Sequence, residues 1–425
     1  MSDYIPQEVM TQILIRVPVK SLLRLRCVSK SWNSLISSAY FISLYNHQAF
    51  LTKPSTPDDK LLVRHYSKDQ KTEVYTVHYD NEAFAVENGI KIGFPFRGLS
   101  RYYFRVVGFS NGLLCLSDDL FGYTNLIMFW NPLIRRKFTL PSPQAVFDKL
   151  GPFMFVLGFG FDVKNNDFKV VRIAYVQGSN GYNLPPKVEI FALSVGNWRE
   201  IDVDVPENWV VEYFWTQAFV RGKVHWTAYR MNMERENGKE NLIMLFDLST
   251  EVFEELLLPD ALVDESPVDL CTLACKDSVA VLHYDRRVWS GSCSIWLMQE
   301  YGNFKSWSNM YNVVCEGGLG IVLSFGKDGD ILLTERNGEL VSHDPRTQKS
   351  KHLEIWGTKD SSFVDTYSES LSLLIEGAKI LPGLPSVSES DSSGEDNERE
   401  DEGVEKHELW IQSIMIQYLT ALLNH

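Results

Sequence analysis

The chain repeats itself. Six short apolar strings, each standing after a turn residue, begin at Asp59, Asn111, Asp167, Gly222, Asp277 and Gly329, at intervals of 52, 56, 55, 55 and 52 residues. A period of that length is that of one propeller blade. Each string is followed by a second module: a strand, an Asx or Gly turn, then a strand that often opens on an aromatic. Asn131, Asp247 and Asp344 stand where a hairpin turn needs a short acceptor side chain. Polar and apolar residues alternate imperfectly, as expected where both faces of a sheet are buried. Six modules predict a six-bladed β-propeller over about residues 49–380. The first module is one strand short, with strands expected near 61–66, 73–79 and 83–87. The string ESLSLLI, residues 369–375, is expected to supply the missing strand. Closing the ring in this way removes the exposed edges that an open sheet must protect.

Residues 1–48 read differently. Pro6 suits the first turn of a helix. Val9 and Ile13 follow four apart on one face, with Leu14 and Val17 beside them. Pro18 ends that helix, because a proline disfavours helix at the residue before it. A second short helix carries Leu22, Leu23 and Leu25. Ser29 is the expected N-cap of a third, whose apolar face is Trp32, Leu35 and Ile36. Three short helices cannot bury enough surface to be stable alone, so the unit needs a partner.

The string from Ile5-Pro6-Gln7-Glu8-Val9 through Arg16-Val17-Pro18-Val19-Lys20-Ser21-Leu22-Leu23-Arg24 to Cys27-Val28-Ser29-Lys30-Ser31-Trp32 resembles a plant F-box. The strings GFGFDVKNNDFKVVRI (158–173), FWNPLIRR (129–136), FDLSTEVFEE (246–255) and YSESL (367–371) look like the plant F-box-associated, or F-box/kelch, domain. The paired glycines of a true kelch repeat are mostly missing. The resemblance covers about residues 3–377. It implies a mainly β fold with a small α N-terminal module: a three-helix F-box, then a kelch-like propeller. It also implies a Skp-type adaptor as partner and, through it, a cullin. The chain would be the substrate receptor of an SCF-type ubiquitin ligase, holding a protein target. The adaptor-face and F-box-core roles fall together on Ile5, Pro6, Val9, Ile13, Leu14, Pro18, Val19, Leu22, Leu25, Val28 and Trp32. The strings at 110–119 and 253–262 and the YSESLSLL ending look like S-locus F-box proteins. That subgroup implies a pollen protein acting on a secreted pistil ribonuclease.

Charge and composition agree with a protein-binding role. Apolar residues make up 44% of the chain and aromatics 12%, enough for a sizeable core. Nucleic acid is not an expected partner of a chain with a net charge of −14, because phosphate binding needs a basic patch and the longest adjacent basic run is Arg135-Arg136-Lys137. No apolar run is long enough to span a bilayer, and no charged-then-apolar leader opens the sequence. The six cysteines stand mostly in strand-like strings, as small buried hydrophobes do. Cys271 and Cys275 have no matching Cys/His pair at zinc-like spacing. The expectation is a reduced chain in the cytoplasm and/or nucleus, with no cofactor, no metal site, no nucleic acid and no membrane partner.

No catalytic constellation is legible, and the chain is not expected to be an enzyme. His225 and His283 read as core histidines. Asp162 and Asp167 read as hairpin chemistry, and the loop at 326–330, although similar to a calcium loop, as a turn. Trp209 and Trp215, in an aromatic stretch between modules, are the candidate substrate contacts. A propeller enzyme would need convergent acids or histidines in loops, so the stronger alternative is a scaffold that uses the adaptor outside a ligase. Residues 381–408 carry a Ser/Asp/Glu run that cannot bury enough apolar surface to fold. Residues 409–423 have apolar residues at helical spacing and are expected to form an amphipathic helix.

Overall fold

The computed structural model describes residues 5–51, 60–81, 84, 89–94, 104–118, 126–146, 150–151, 153–178, 181–182, 185–202, 208–211, 217–235, 238–285, 291–358 and 361–374. The expected acidic segment and C-terminal helix lie outside these residues, as does Trp215.

Four helices come first: α1 (Gln7–Leu14), α2 (Val19–Leu25), α3 (Lys30–Ile36) and α4 (Ala39–Leu51). Pro6 and Pro18 are N-caps, so Pro6 sits just outside the first turn where it was expected. Their fixed φ suits the extended approach to a helix, and their carbonyls accept the first bonds, from Met10 and Leu22 N–H. The Ser29 hydroxyl accepts from the Trp32 N–H at 3.2 Å, the cap read from the sequence. The fourth helix was not expected. Its apolar residues run round the whole surface, so no one-sided period marks it.

Six antiparallel sheets follow. Blade 1 holds β1 (Lys60–Ser67), β2 (Thr72–Tyr79) and β3 (Ile90–Ile92). Blade 2 holds β4 (Arg105–Ser110), β5 (Leu113–Ser117), β6 (Ile127–Asn131) and β7 (Arg136–Thr139). Blade 3 holds β8 (Phe153–Asp162), β9 (Asp167–Gly178), β10 (Gly181–Tyr182), β11 (Lys187–Ala192) and β12 (Asn197–Glu200). Blade 4 holds β13 (Trp209–Val210), β14 (Ala218–Val220), β15 (Lys223–Met231), β16 (Lys239–Asp247) and β17 (Val252–Leu257). Blade 5 holds β18 (Leu270–Cys275), β19 (Ser278–Asp285), β20 (Ser292–Met298) and β21 (Trp307–Val313). Blade 6 holds β22 (Leu319–Phe325), β23 (Ile331–Glu335), β24 (Glu339–Asp344) and β25 (Lys349–Trp356).

The ring is closed by β26 (Phe363–Tyr367), which pairs antiparallel with β1 from Lys60↔Tyr367 to Arg64↔Phe363. The missing strand of blade 1 thus comes from the chain's far end, as expected, but from residues before 369–375. The reason is chemical. Val364 stands opposite Val63 and both are buried, whereas Leu371 and Leu374 are buried among the helices instead. The outermost strand of blade 1 also lies later than the expected 83–87, at β3. Adjacent innermost strands complete the ring: β4 lies beside β8, β14 beside β18, β18 beside β22, and β22 beside β26. Gln217 bridges β8 and β14, accepting from the Phe159 N–H at 2.7 Å and donating to its carbonyl at 2.8 Å.

Inner and outer strands differ as a propeller requires. β4, β5 and β6 are buried along their whole length, while β12 buries only Trp198. The outer hairpins share one turn. Asn131, Asp247 and Asp344 each accept backbone N–H bonds from the turn residues that follow. The fourth loop residue, Arg135, Glu251 or Gln348, then takes a positive φ. These turns share one end of the ring with those between first and second strands. The turns between second and third strands, and the links between blades, form the other end.

Replacing Val364 with Asp should cost roughly 3 kcal/mol or more, because it buries an unpaired carboxylate in the closing strand. Denaturant unfolding would measure it; an unchanged midpoint would count against closure by β26.

Candidate functional site

The helical module does not stand free. Leu14, Ile15, Val19, Leu22, Ile36, Phe41, Ile42 and Tyr45 form one core with Leu371 and Leu374, and Leu133 and Ile134 pack against it. Polar bonds fix the joint. Asn46 donates to the Ser372 hydroxyl at 2.9 Å and accepts from the Leu371 N–H at 3.1 Å. Asn131 donates to the Ser370 and Ser372 carbonyls at 3.1 and 3.0 Å. Asn166 donates to the Ser43 hydroxyl at 2.7 Å. Gly112, at φ +75°, lies so close to Ser370 that a Cβ there would overlap it. The module therefore sits on the ring end that carries the first–second and third–fourth strand turns. Sequence reasoning missed this joint. Its one available signal was the apolar pair Leu133-Ile134 at the tip of a hairpin turn, where polar residues are the rule.

The structure sorts the candidate helical residues into two sets. Leu14, Val19 and Leu22 are buried, and Leu25 and Trp32 are half-buried. Ile5, Pro6, Val9, Ile13, Pro18 and Val28 are exposed. Val9 and Ile13 stand four apart on one exposed face of α1, and Ile5 lies exposed just before the Pro6 N-cap. Ile5, Val9 and Ile13 are 47%, 48% and 51% exposed, far beyond what isolated core residues show. Arg16, Lys20, Arg24 and Lys30 are exposed too. The outer surface of the module thus combines apolar side chains with a positive rim.

The propeller candidates fare differently. Trp209, expected on a binding face, is 5% exposed and packs in the core with Tyr175, Trp226 and Phe246. The short β13 pairing with Arg230 and Tyr229 turns it inward. His225 is a buried core histidine, with Nε2 2.8 Å from the Tyr301 hydroxyl and Nδ1 3.2 Å from the Ala218 carbonyl. His283 is less enclosed, with Nε2 3.4 Å from Glu265. Asp162 accepts from Lys164 and Asn165 N–H within its hairpin and pairs with Lys169 at 2.9 Å. Residues 326–330 form a turn, in which Lys327 N–H donates to Asp80. Among the described residues, one group could hold a metal ion: Glu335, Glu339 and His352.

Comparison with known proteins decides the family. The F-box associated beta propeller domain matches residues 98–372 and the F-box domain residues 3–44. The chain belongs to the F-box-associated β-propeller family. Its relatives in Arabidopsis thaliana include F-box protein At3g07870, 26% identical over 83% of this chain and 87% of that protein. F-box protein CPR1 is 27% identical over 88% and 90%. F-box/kelch-repeat protein At3g23880 is 24% identical over 73% and 79%. Among solved structures, TolB from Acinetobacter baumannii covers 78% of this chain and 72% of its own at 9% identity, with a TM-score of 0.44. An F-box implies binding to a Skp-type adaptor, and the helical residues divide into a core that holds the F-box to its propeller and a set that stays exposed.

Leu14→Ala should cost about 2–5 kcal/mol, as core leucines do, while Val9→Ala should stay within about 0.5 kcal/mol. Comparing their thermal midpoints checks the division. His225 gives a pH test. Burial pushes its pKa down to about 4, so the unfolded chain takes up a proton that the fold refuses. The stability this group supplies is complete above about pH 6.5 and lost as pH falls toward 4, some 3 kcal/mol in all. His225→Gln should flatten that part of the stability–pH curve.

Proposed function

We propose that this chain is the substrate-recognition subunit of an SCF-type cullin ubiquitin ligase. The exposed apolar residues Ile5, Val9 and Ile13, on an F-box joined to a propeller, are the observation that carries this reading. Apolar side chains left at half exposure on a well-packed module are what a protein partner covers. The positive rim favours an acidic partner surface, and that surface belongs to the Skp-type adaptor. Ile5, Pro6, Val9, Ile13, Pro18 and Val28 form the adaptor face. The propeller end turned away from the F-box holds the target, and this chain's exposed apolar residues at that end include Met231, Met233 and Trp356. The chain forms and breaks no bond itself. It raises the effective concentration of target lysines near the charged ubiquitin carrier. Such work places it in the cytoplasm and/or nucleus.

Ile13→Asp combined with Val28→Asp should weaken adaptor binding by more than about 100-fold without moving the melting midpoint, since both side chains are already in water. Undiminished co-purification with the adaptor would refute the assignment. A cullin blot of the same complex separates a ligase subunit from an adaptor-bound scaffold, which would carry no cullin.

A finer reading makes the target a secreted pistil ribonuclease, as for S-locus F-box proteins. The net charge of −14 supports it to the extent that it would attract a basic target. Capture of such a ribonuclease at low salt, lost as salt rises, is the expected result; no binding at low salt excludes this target and leaves the receptor reading intact.

A further inference from the structure

Blade 6 breaks a charge rule that three other blades keep. In blades 1, 3 and 4 the second strand supplies an arginine and the third a glutamate. Arg64 lies 3.3 Å from Glu73, Arg172 3.0 Å from Glu189, and Arg230 2.9 Å from Glu240. In blade 6 the second strand ends in Glu335 and the third begins with Glu339. Between these two strands blade 6 thus carries two acids, whereas the other three blades pair an acid with a base across them.

Both acids are buried, Glu335 at 6% exposure and Glu339 at 8%. Glu339 has a partner in His352 on the fourth strand, whose Nδ1 lies 3.2 Å from its Oε2. Among the described residues, no hydrogen bond or ion pair reaches the Glu335 carboxylate. The link from blade 5 closes over it at Gly317, where a Cβ would overlap Glu335 Oε2. A carboxylate more than nine-tenths buried, with no ion-pair partner among the described residues and pressed under a glycine, is a site that a cation would complete.

We propose that Glu335, Glu339 and His352 bind a divalent transition-metal ion, zinc by choice of ligands. Their three donor atoms lie within 4.8 Å of one another. Around a tetrahedral zinc, ligand atoms stand about 3.4 Å apart, so closure requires only a shift on the order of 1 Å in side chains that can rotate. The imidazole favours zinc over calcium or magnesium, which take oxygen donors. Three protein ligands leave a fourth position for water. The ion would replace, in blade 6, the positive charge that arginine supplies elsewhere.

The test uses the full-length chain after chelation and removal of the chelator, titrated with zinc chloride and separately with calcium chloride. One zinc per chain is expected, with a raised melting midpoint and no comparable response to calcium. Glu335→Gln and His352→Ala should each weaken zinc binding at least about tenfold. Asp328→Asn, an exposed turn residue at the ring's other end, should not. Without metal, Glu335→Gln should melt at or above the unaltered chain, because it removes an uncompensated buried charge; with zinc the order should reverse. Zinc binding that survives both ligand substitutions overturns the proposal. So does a Glu335→Gln chain that melts lower without metal while zinc leaves the unaltered chain unmoved.

Discussion

Everything in this molecule hangs on the pairing of β26 with β1. A propeller blade buries both faces against its neighbours, so an open ring would leave two blades with a bare side. The chain enters the ring as a second strand and returns at the end to supply the first. Residues 60–64 and 363–367 thus tie together segments some 300 positions apart. Antiparallel pairing fixes their register, and burial of Val63 and Val364 ensures that a one-residue slip would turn the wrong faces inward. The cost of closing so long a loop grows only with the logarithm of its length, so the distance in sequence is little obstacle.

The same closure anchors the F-box. The residues immediately after β26 leave the ring at the end where the F-box sits, and Leu371 and Leu374 complete the helical core. A module too small to be stable alone borrows its missing apolar surface from the segment that seals its neighbour. Asn131 serves both parts: its side-chain oxygen shapes the β6–β7 turn and its amide holds residues 370–372. The buried ion pairs act in the same spirit between blades. Arg64 reaches the carbonyls of Ser361 and Phe104, and Glu73 accepts from the Phe104 N–H, so one pair fastens two blade-to-blade links. Arg172 and Glu189 repeat the device on Ala145, whose carbonyl accepts from the arginine and whose N–H donates to the glutamate. Such pairs gain little net energy but set geometry, since breaking one leaves a stranded charge.

What the sequence made legible was local and periodic. The blade spacing, the Asx turns at Asn131, Asp247 and Asp344, and the Ser29 cap all depend on residues a few positions apart. The closing strand was foreseen but misplaced, because ESLSLLI and FVDTY are both short apolar-polar strings, and only the F-box core decides which is needed where. Trp209 went inward because a large indole gains more from the gap between blades 3 and 4 than any binding face could offer before a target arrives. The adaptor-face and core residues of the F-box could not be told apart by hydrophobicity, since both are apolar. Their difference is which side of α1 meets Leu371, and that contact is not local. The Glu335–Glu339–His352 group was invisible for a like reason: its spacing of 4 and 13 residues matches no metal motif, and three strands of one blade must align before the donors meet.

The joint also sets how the proposed receptor would work. A linker of flexible chain between F-box and propeller would let a bound target sample a wide volume, diluting its lysines near the ubiquitin carrier. Here a shared apolar core and several hydrogen bonds replace that linker, so the propeller's far end keeps a set direction relative to the adaptor face. Rigidity of this kind favours lysines at one distance and penalises others. Targets of similar affinity should therefore differ in modification according to where their lysines lie, and loosening the joint, for example through Asn46→Ala, should blur that preference before it lowers target binding.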